Sequence, residues 1–212
     1  MALPIEAHAL IGDTHSAALV ANDGTIDWLC WPRFDSDACF AALLGEPRHG
    51  FWRIAPTVPV RRVHRRYVRD TLVLETEFHT DAGTVRLCDF MPLREDTPQL
   101  IRIVDARTGQ VPLHLEFAPC FGYGDRTPWA RLIPGGVSTK AGPDALYLST
   151  ELPLRLEHSH VLADFALPEG QRRPSSCPGI PRTCLRPGSR RPLPHARGHG
   201  AVVARLGAPL HP

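Results

Sequence analysis

The chain has 212 residues, of which 43% are hydrophobic, and it carries a formal net charge of +2. This length supports one hydrophobic core and excludes two sizeable domains. The sequence has neither an apolar run of about 18 residues nor a signal-peptide pattern, so it predicts a cytoplasmic protein without a membrane span.

The first predicted element is a β-hairpin. Strand-like runs at residues 16–21 and 25–31 flank Asn22-Asp23-Gly24. Asp-Gly between two such runs favours a tight turn, because both residues tolerate positive φ. We therefore interpret Asp23 as a turn residue rather than as a catalytic carboxylate.

Residues 35–45, DSDACFAALLG, predict one short helix, or at least a helical turn. Asp35 or Ser36 can accept the free N–H groups of a helix N-terminus, and Gly45 is typical of a helix end. We interpret both polar residues as capping residues.

Most of the remaining chain has the pattern of short strands separated by turn residues. Residues 144–167 add two or three strands to those of the segments FWRIAP, YVRDTLVLETEFHT, GTVRLCDFMPL, QLIRIVDARTG and VPLHLEFAPC. About ten to twelve short strands with very little helix predict an all-β fold, a large antiparallel β-sandwich.

The charge divides the chain into two parts. Residues 1–170 contain 16 basic and 22 acidic residues, and 16 − 22 gives −6. Residues 171–212 contain eight arginines, eight prolines and no acidic residue, which gives +8. The sequence therefore predicts a β-sandwich domain over 1–170 and an irregular, disordered Arg/Pro-rich tail over 171–212.

The arginine-rich segment VRRVHRRYVRD, residues 60–70, has two interpretations. A basic run with an interleaved aromatic residue is compatible with nucleic-acid binding. The rest of residues 1–170 is acidic, which favours instead a solvated edge strand that its arginines protect from pairing.

No cofactor or metal site is predicted. The histidines form neither an HExxH motif nor a cluster of ligand spacing with cysteine. The six cysteines lack CxxC spacing, and we interpret them as reduced structural thiols: Cys30, Cys39, Cys88, Cys120, Cys177 and Cys184.

Several motifs carry a family resemblance: ALIGDTHSAALVANDGTIDWLCWPRFDSDACFAALLG, HGFWRIAP, RRYVRDTLVLETEFHTDAGTVRLCDFMPL and FGYGDRTPWAR. Over residues 5 to about 170 the chain resembles the N-terminal domain of bacterial glycoside hydrolase family 15 proteins, which are glucoamylase-like and trehalase-like. The resemblance implies a β-sandwich followed by an (α/α)₆ barrel. Two barrel glutamates would hydrolyse an α-glucosidic bond with inversion, so no residue of this chain is assigned a catalytic role.

The resemblance also suggests which residues lie near the barrel. We expect Trp28, Arg33, Phe34 and Asp35 to lie at the interdomain contact or at the rim of the sugar site. We interpret the nearby aromatic residues as part of the hydrophobic core or of the domain interface, rather than as a surface on which a sugar ring stacks. Two further carboxylates, Asp13 and Asp27, either bond turns or face the barrel.

After residues 161–172 the family pattern ends. The Arg/Pro-rich composition that follows predicts a frameshift in a GC-rich gene, and hence a chain truncated before the barrel. Nucleotide sequencing of the locus would test this, because an intact downstream frame should encode the barrel. A truncated domain would lack its final strand and expose its interface, so we expect self-association or poor solubility.

Three functions remain open. The chain is a noncatalytic N-terminal domain of a carbohydrate-metabolising hydrolase whose partner is the barrel, or it is a stand-alone carbohydrate-binding module that binds α-glucosides. The third alternative is a nucleic-acid binder that acts through the Arg-rich tail.

Overall fold

The computed structural model describes residues 3–94, 97–167 and 201–207. These residues form sixteen strands: β1 (His8–Gly12), β2 (Ala17–Ala21), β3 (Thr25–Cys30), β4 (Ala38–Phe40), β5 (Phe51–Pro56), β6 (Val60–Tyr67), β7 (Leu74–Thr80), β8 (Gly83–Phe90), β9 (Gln99–Gly109), β10 (Pro112–Ala118), β11 (Trp129–Ile133), β12 (Gly136–Ala141), β13 (Asp144–Ser149), β14 (Arg155–Glu157), β15 (His160–Ala166) and β16 (Ala201–Gly207). Three short 3₁₀ helices cover Ile5–Ala7, Ala42–Leu44 and Pro47–His49.

The strands form two antiparallel sheets of eight strands each. The first sheet has the order β1-β2-β3-β5-β10-β15-β14, with β4 paired to β3. The second sheet has the order β11-β12-β13-β16-β9-β8-β7-β6. Apolar side chains from both sheets join one central core, which confirms the predicted all-β sandwich.

The predicted hairpin at Asn22-Asp23-Gly24 is confirmed. Asp23 Oδ1 accepts a hydrogen bond from the Thr25 N–H at 3.0 Å, so its carboxylate fixes the turn. Gly24 has a φ of +85°, and a Cβ atom there would lie 2.2 Å from the carbonyl oxygen of Ile54. Only glycine fits this position, because it has no Cβ and adopts positive φ without strain.

The helix predicted over residues 35–45 is wrong, although a helical turn is present. Strand β4 occupies its centre and pairs with β3, and the 3₁₀ helix Ala42–Leu44 follows. Phe40 is fully buried and packs edge-to-face on Phe117, at 6.0 Å between ring centroids. Burial of this side chain in the sandwich overrides the local helical pattern. Asp35 therefore caps no helix.

The prediction of an irregular tail is wrong for residues 201–207, which form β16. This strand lies inside the second sheet, where it pairs with β9 over seven residues and with β13 over three. The sequence AVVARLG contains adjacent valines, which suit a strand, and the flanking strands offer unpaired backbone groups. The expectation that a truncated domain lacks the final strand of its family stays a prediction. Residues 171–200 and 208–212 lie outside the described residues.

One charged pair lies between the two sheets. Arg102 and Asp89 are both fully buried, and the Arg102 guanidinium donates to both Asp89 oxygens, at 2.8 and 3.3 Å. It also donates to the carbonyl oxygens of Trp52 (2.8 Å) and Gly24 (2.7 Å), which belong to the first sheet and its hairpin turn. Arg102 thus links β9 to the opposite layer, with its charge 5.1 Å from the Trp52 ring centroid.

Candidate functional site

The four residues predicted at the interdomain contact fall into two environments. Trp28 is half-buried on β3 and lies 6.1 Å from the Tyr123 ring, centroid to centroid. Arg33, Phe34 and Asp35 lie together in the exposed loop after β3, and Phe34 is 61% exposed. Arg33 Nε and Asp35 Oδ1 pair at 2.9 Å, which lowers the pKa of the Asp35 carboxyl. The structure therefore places Trp28 on a sheet face and the other three on a loop.

Contacts between loops gather that segment with its neighbours at one end of the sandwich. The N–H of Phe34 donates to the carbonyl oxygen of His15 at 3.0 Å. The N–H of Tyr123 donates to the Ala38 carbonyl oxygen at 3.2 Å. We call this region the loop end; it comprises residues 13–16, 31–38, 91–94 and 121–126.

An ion pair links two loops of the loop end. Arg94 Nε donates to Asp13 Oδ2 at 2.8 Å, and Asp13 Oδ1 accepts the backbone N–H groups of His15 and Ser16. Asp13 is fully buried, so its carboxylate holds two loops together. Of the two interpretations left open for Asp13, turn bonding is the one that these contacts support.

Three large apolar side chains of the loop end are exposed to solvent. The exposed fractions are 61% for Phe34, 57% for Leu93 and 51% for Tyr123. Exposed apolar side chains on loops that contact one another are compatible with an interaction surface.

A second feature is a cleft of about 220 Å³ on the outer face of the first sheet. Ten residues line it: Leu3, Ala21, Asp23, Thr25, Asp27, Ala42, Pro47, Phe51, Arg53 and Glu116. Its floor comes from β3, β5 and β10, and the two 3₁₀ helices after β4 contribute to its wall. The cleft combines charged, hydroxyl and aromatic side chains in one concavity, as small-molecule sites do.

A β-bulge brings Asp27 to this face. Leu19 of β2 pairs with Trp28, whereas the next residue, Val20, pairs with Ile26, so Asp27 is the extra residue of β3. Asp27 lines the outer cleft, and the alternation breaks after it, because Ile26 and Leu29, three positions apart, both join the central core. Bulges of this kind re-aim side chains and are common near functional sites.

Asp27 forms a buried pair with His8. His8 Nε2 lies 2.9 Å from Asp27 Oδ2, and His8 Nδ1 lies 3.0 Å from the carbonyl oxygen of Pro4. The side chains are 1% and 8% exposed for His8 and Asp27. Burial raises the pKa of Asp27, although the hydrogen bond and charge of His8 oppose the shift. Both ring nitrogens of His8 therefore face oxygen atoms, one of Asp27 and one of the Pro4 carbonyl.

The prediction that the arginine-rich segment is an edge strand is confirmed, because β6 ends the second sheet. Arg61 pairs with Asp81 at 2.6 Å, and Arg66 pairs with Glu75 at 2.6 Å. Arg65 donates inward to the carbonyl oxygen of Val20 at 2.9 Å. These contacts use three of the arginines within the sandwich itself.

Among the described residues, no group of three or more His, Cys, Asp or Glu side chains is placed to hold a metal ion. Among the same residues, no helix is long and apolar enough to cross a membrane.

Sequence reasoning missed Phe51, Arg53 and Glu116 as cleft residues. Phe51 and Arg53 alternate along FWRIAP and so share a face, but the residue that lies across from Arg53 on β10 comes more than sixty positions later. Only the strand pairing brings these side chains together, and no local motif encodes that pairing.

The family to which the chain belongs follows from its match to a protein-family model. A family model described as "Trehalase-like, N-terminal" matches residues 1–149, which is more than half of the sequence. The chain belongs to the trehalase-like N-terminal domain family. The resemblance seen in the sequence motifs is thereby confirmed, and both the loop end and the cleft lie within the matched residues.

Curated relatives of the trehalase-like domain carry the name trehalase. A trehalase of Thermoplasma volcanium is 31% identical over 166 residues, covering 76% of this chain and 27% of the relative. Trehalase 2 of Sulfolobus acidocaldarius is 37% identical over 133 residues, covering 63% and 20%. A trehalase of Mycobacterium tuberculosis is 28% identical over 194 residues, covering 79% and 28%. The chain therefore spans about a quarter of the length of these relatives.

Proposed function

We propose that this chain is the noncatalytic N-terminal domain of a cytoplasmic glycoside hydrolase of family 15, glucoamylase-like or trehalase-like, in carbohydrate metabolism. Its partner is a catalytic barrel that hydrolyses α-glucosidic bonds. The observation that carries the proposal is the match to a trehalase-like N-terminal domain, together with relatives named trehalases that the chain covers only in part.

The geometry of the carboxylates supports a noncatalytic role. Inverting hydrolysis needs a general acid and a general base about 6.5–9.5 Å apart, with sugar and water between them. Asp13 and Asp23 instead bond backbone N–H groups of their own turns, and Asp27 pairs with His8. Asp35 is exposed and pairs with Arg33. Each of these four carboxylates thus has a structural partner.

The loop end is the proposed contact surface for the barrel. It carries three of the residues expected there, Arg33, Phe34 and Asp35, and it concentrates the exposed side chains of Leu93 and Tyr123. Trp28 lies behind this surface through its contact with Tyr123. A surface that carries both exposed apolar and charged side chains suits an interface between domains.

The test is glucose release from trehalose, maltose and soluble starch by the purified chain, with a full-length trehalase as positive control. We expect no glucose above the buffer level. Turnover by the chain that Asp27→Asn or Asp35→Asn abolishes would refute the noncatalytic role, whereas turnover that both variants retain would indicate a contaminating hydrolase.

A further inference from the structure

The floor of the cleft is a row of polar residues on neighbouring strands. Thr25 on β3 and Glu116 on β10 both lie directly across from Arg53 on β5. Asp23, in the turn before β3, lies 3.7 Å from the Arg53 guanidinium. Arg53 is thus flanked by hydrogen-bond acceptors on both sides, inside a concave surface.

These groups have hydrogen-bonding capacity left over. The Arg53–Asp23 separation exceeds hydrogen-bond length, and the Arg53 side chain is 46% exposed. Glu116 Oε1 lies 2.7 Å from His160 Nδ1, which leaves its second oxygen for a ligand. Asp27 Oδ1 is buried and accepts no hydrogen bond from any described residue. The cleft therefore presents guanidinium donors beside several carboxylate acceptors.

Apolar surface lies beside the polar row. Phe51 is two residues before Arg53 on β5, so both side chains lie on the same face of the strand. Leu3, Ala42 and Pro47 complete the apolar part of the lining. A ligand for this cleft needs hydroxyl groups on its edges and a flat C–H surface for the Phe51 ring.

We infer that the cleft binds a single hexopyranose unit, either as free glucose or as one ring of trehalose. Sugar hydroxyls both donate and accept, so one ring can satisfy Arg53 and the carboxylates of Asp23 and Glu116 together. An anionic ligand would meet the negative charge of Asp23 and Glu116. The volume of about 220 Å³ is smaller than the pockets that hold drug-sized ligands, and it suits one ring.

This inference does not depend on the proposed function, because every residue of the site belongs to the described part of this chain. A sugar site would persist if the chain proved to have another partner. Conversely, a chain without sugar affinity can still be the noncatalytic domain of a hydrolase.

Saturation-transfer NMR and calorimetric titration of the full chain test the site, with glucose and trehalose as probes and sorbitol as an open-chain polyol. Arg53→Met removes the central donor and keeps the aliphatic stem. Arg61→Met is the matched control, because Arg61 pairs with Asp81 on the edge strand of the other sheet. We expect Arg53→Met to weaken binding by at least about tenfold, as the loss of a charge-assisted hydrogen bond does, and Arg61→Met to leave it unchanged.

Phe51→Leu is a second variant that retains apolar bulk but loses the aromatic ring, and we expect it to weaken binding as well. It keeps the test decisive if Arg53→Met fails to fold, as judged by far-UV circular dichroism. Three results would overturn the inference: no binding of either sugar, equal binding of sorbitol, or sugar binding that folded cleft variants leave unchanged.

Discussion

Replacing Arg102 by methionine tests whether the charge between the sheets holds the sandwich together. The substitution keeps an unbranched side chain in the core but removes every donor of the guanidinium. Asp89 would then be a buried carboxylate without its cation, since both residues are 0% exposed. The carbonyl oxygen of Trp52 would also lose the Arg102 hydrogen bond, whereas that of Gly24 would keep the Ile54 N–H at 3.2 Å.

The expected cost follows from these losses. Breaking a buried ion pair by removing one partner costs about 3–5 kcal/mol. Each unsatisfied buried carbonyl adds up to about 1–3 kcal/mol where water cannot enter. We therefore expect Arg102→Met to lower the free energy of unfolding by at least about 3 kcal/mol, a large part of the stability of an ordinary domain.

Urea unfolding, followed by tryptophan fluorescence and far-UV circular dichroism, measures the effect. Arg61→Met is the control, because the Arg61–Asp81 pair is exposed to solvent and should contribute little to the free energy of unfolding. The double variant Asp89→Leu/Arg102→Met removes both charges, and we expect it to be more stable than Arg102→Met alone. A loss below about 1 kcal/mol in Arg102→Met, or no recovery in the double variant, would refute the reasoning.

Four further predictions follow from local geometry. Gly24→Ala should destabilise the chain by about 1–3 kcal/mol in urea unfolding, because its φ is +85° and its Cβ would meet the Ile54 carbonyl; unchanged stability would contradict this. The pKa of Asp27 is raised, so its folded form binds a proton more readily than its unfolded form, and wild-type stability relative to Asp27→Asn should fall as pH rises above about 4. Cys39 is buried, and burial raises its thiol pKa, so mass spectrometry should find it alkylated only after unfolding. Self-association, measured by sedimentation velocity, should decrease in Phe34→Ser if the loop end is the contact.

The sequence predicts those parts of the fold that local chemistry determines. Asp-Gly specifies the hairpin turn, and the arginines of β6 indicate an edge strand before any pairing is known. The prediction from sequence fails at Phe40, where a segment with a helical pattern forms β4. The Phe40 ring packs against Phe117 in the core, and this packing overrides the local pattern. The prediction also fails at residues 201–207, since the place of β16 between β9 and β13 depends on strands far away in the sequence. The frameshift stays a prediction for nucleotide sequencing.

The residues of the candidate site also divide into those that the local sequence predicts and those that only the fold brings together. Turn bonding by Asp23 follows from residue type and spacing, and the structure confirms it. For Asp13 the sequence left two interpretations open, and its hydrogen bonds support turn bonding. The cleft does not follow, because Arg53 and Glu116 become neighbours only through the register of β5 with β10. Arg102 is equally hidden: in LIRIVD it resembles the outward residue of an alternating strand, whereas the structure places it in the core.

Two buried carboxylates show how structural and binding roles differ in this domain. Asp89 receives two hydrogen bonds from Arg102, so both of its oxygens are satisfied inside the core. Asp27 has one partner, His8, and its Oδ1 accepts no hydrogen bond from the described residues. A buried oxygen without a donor costs free energy, and a fold retains that cost most readily where a ligand can offset it. The Oδ1 atom of Asp27 that accepts no hydrogen bond therefore indicates a binding role in the cleft that Asp27 lines. The fully bonded carboxylate of Asp89, in contrast, stabilises the packing of the two sheets.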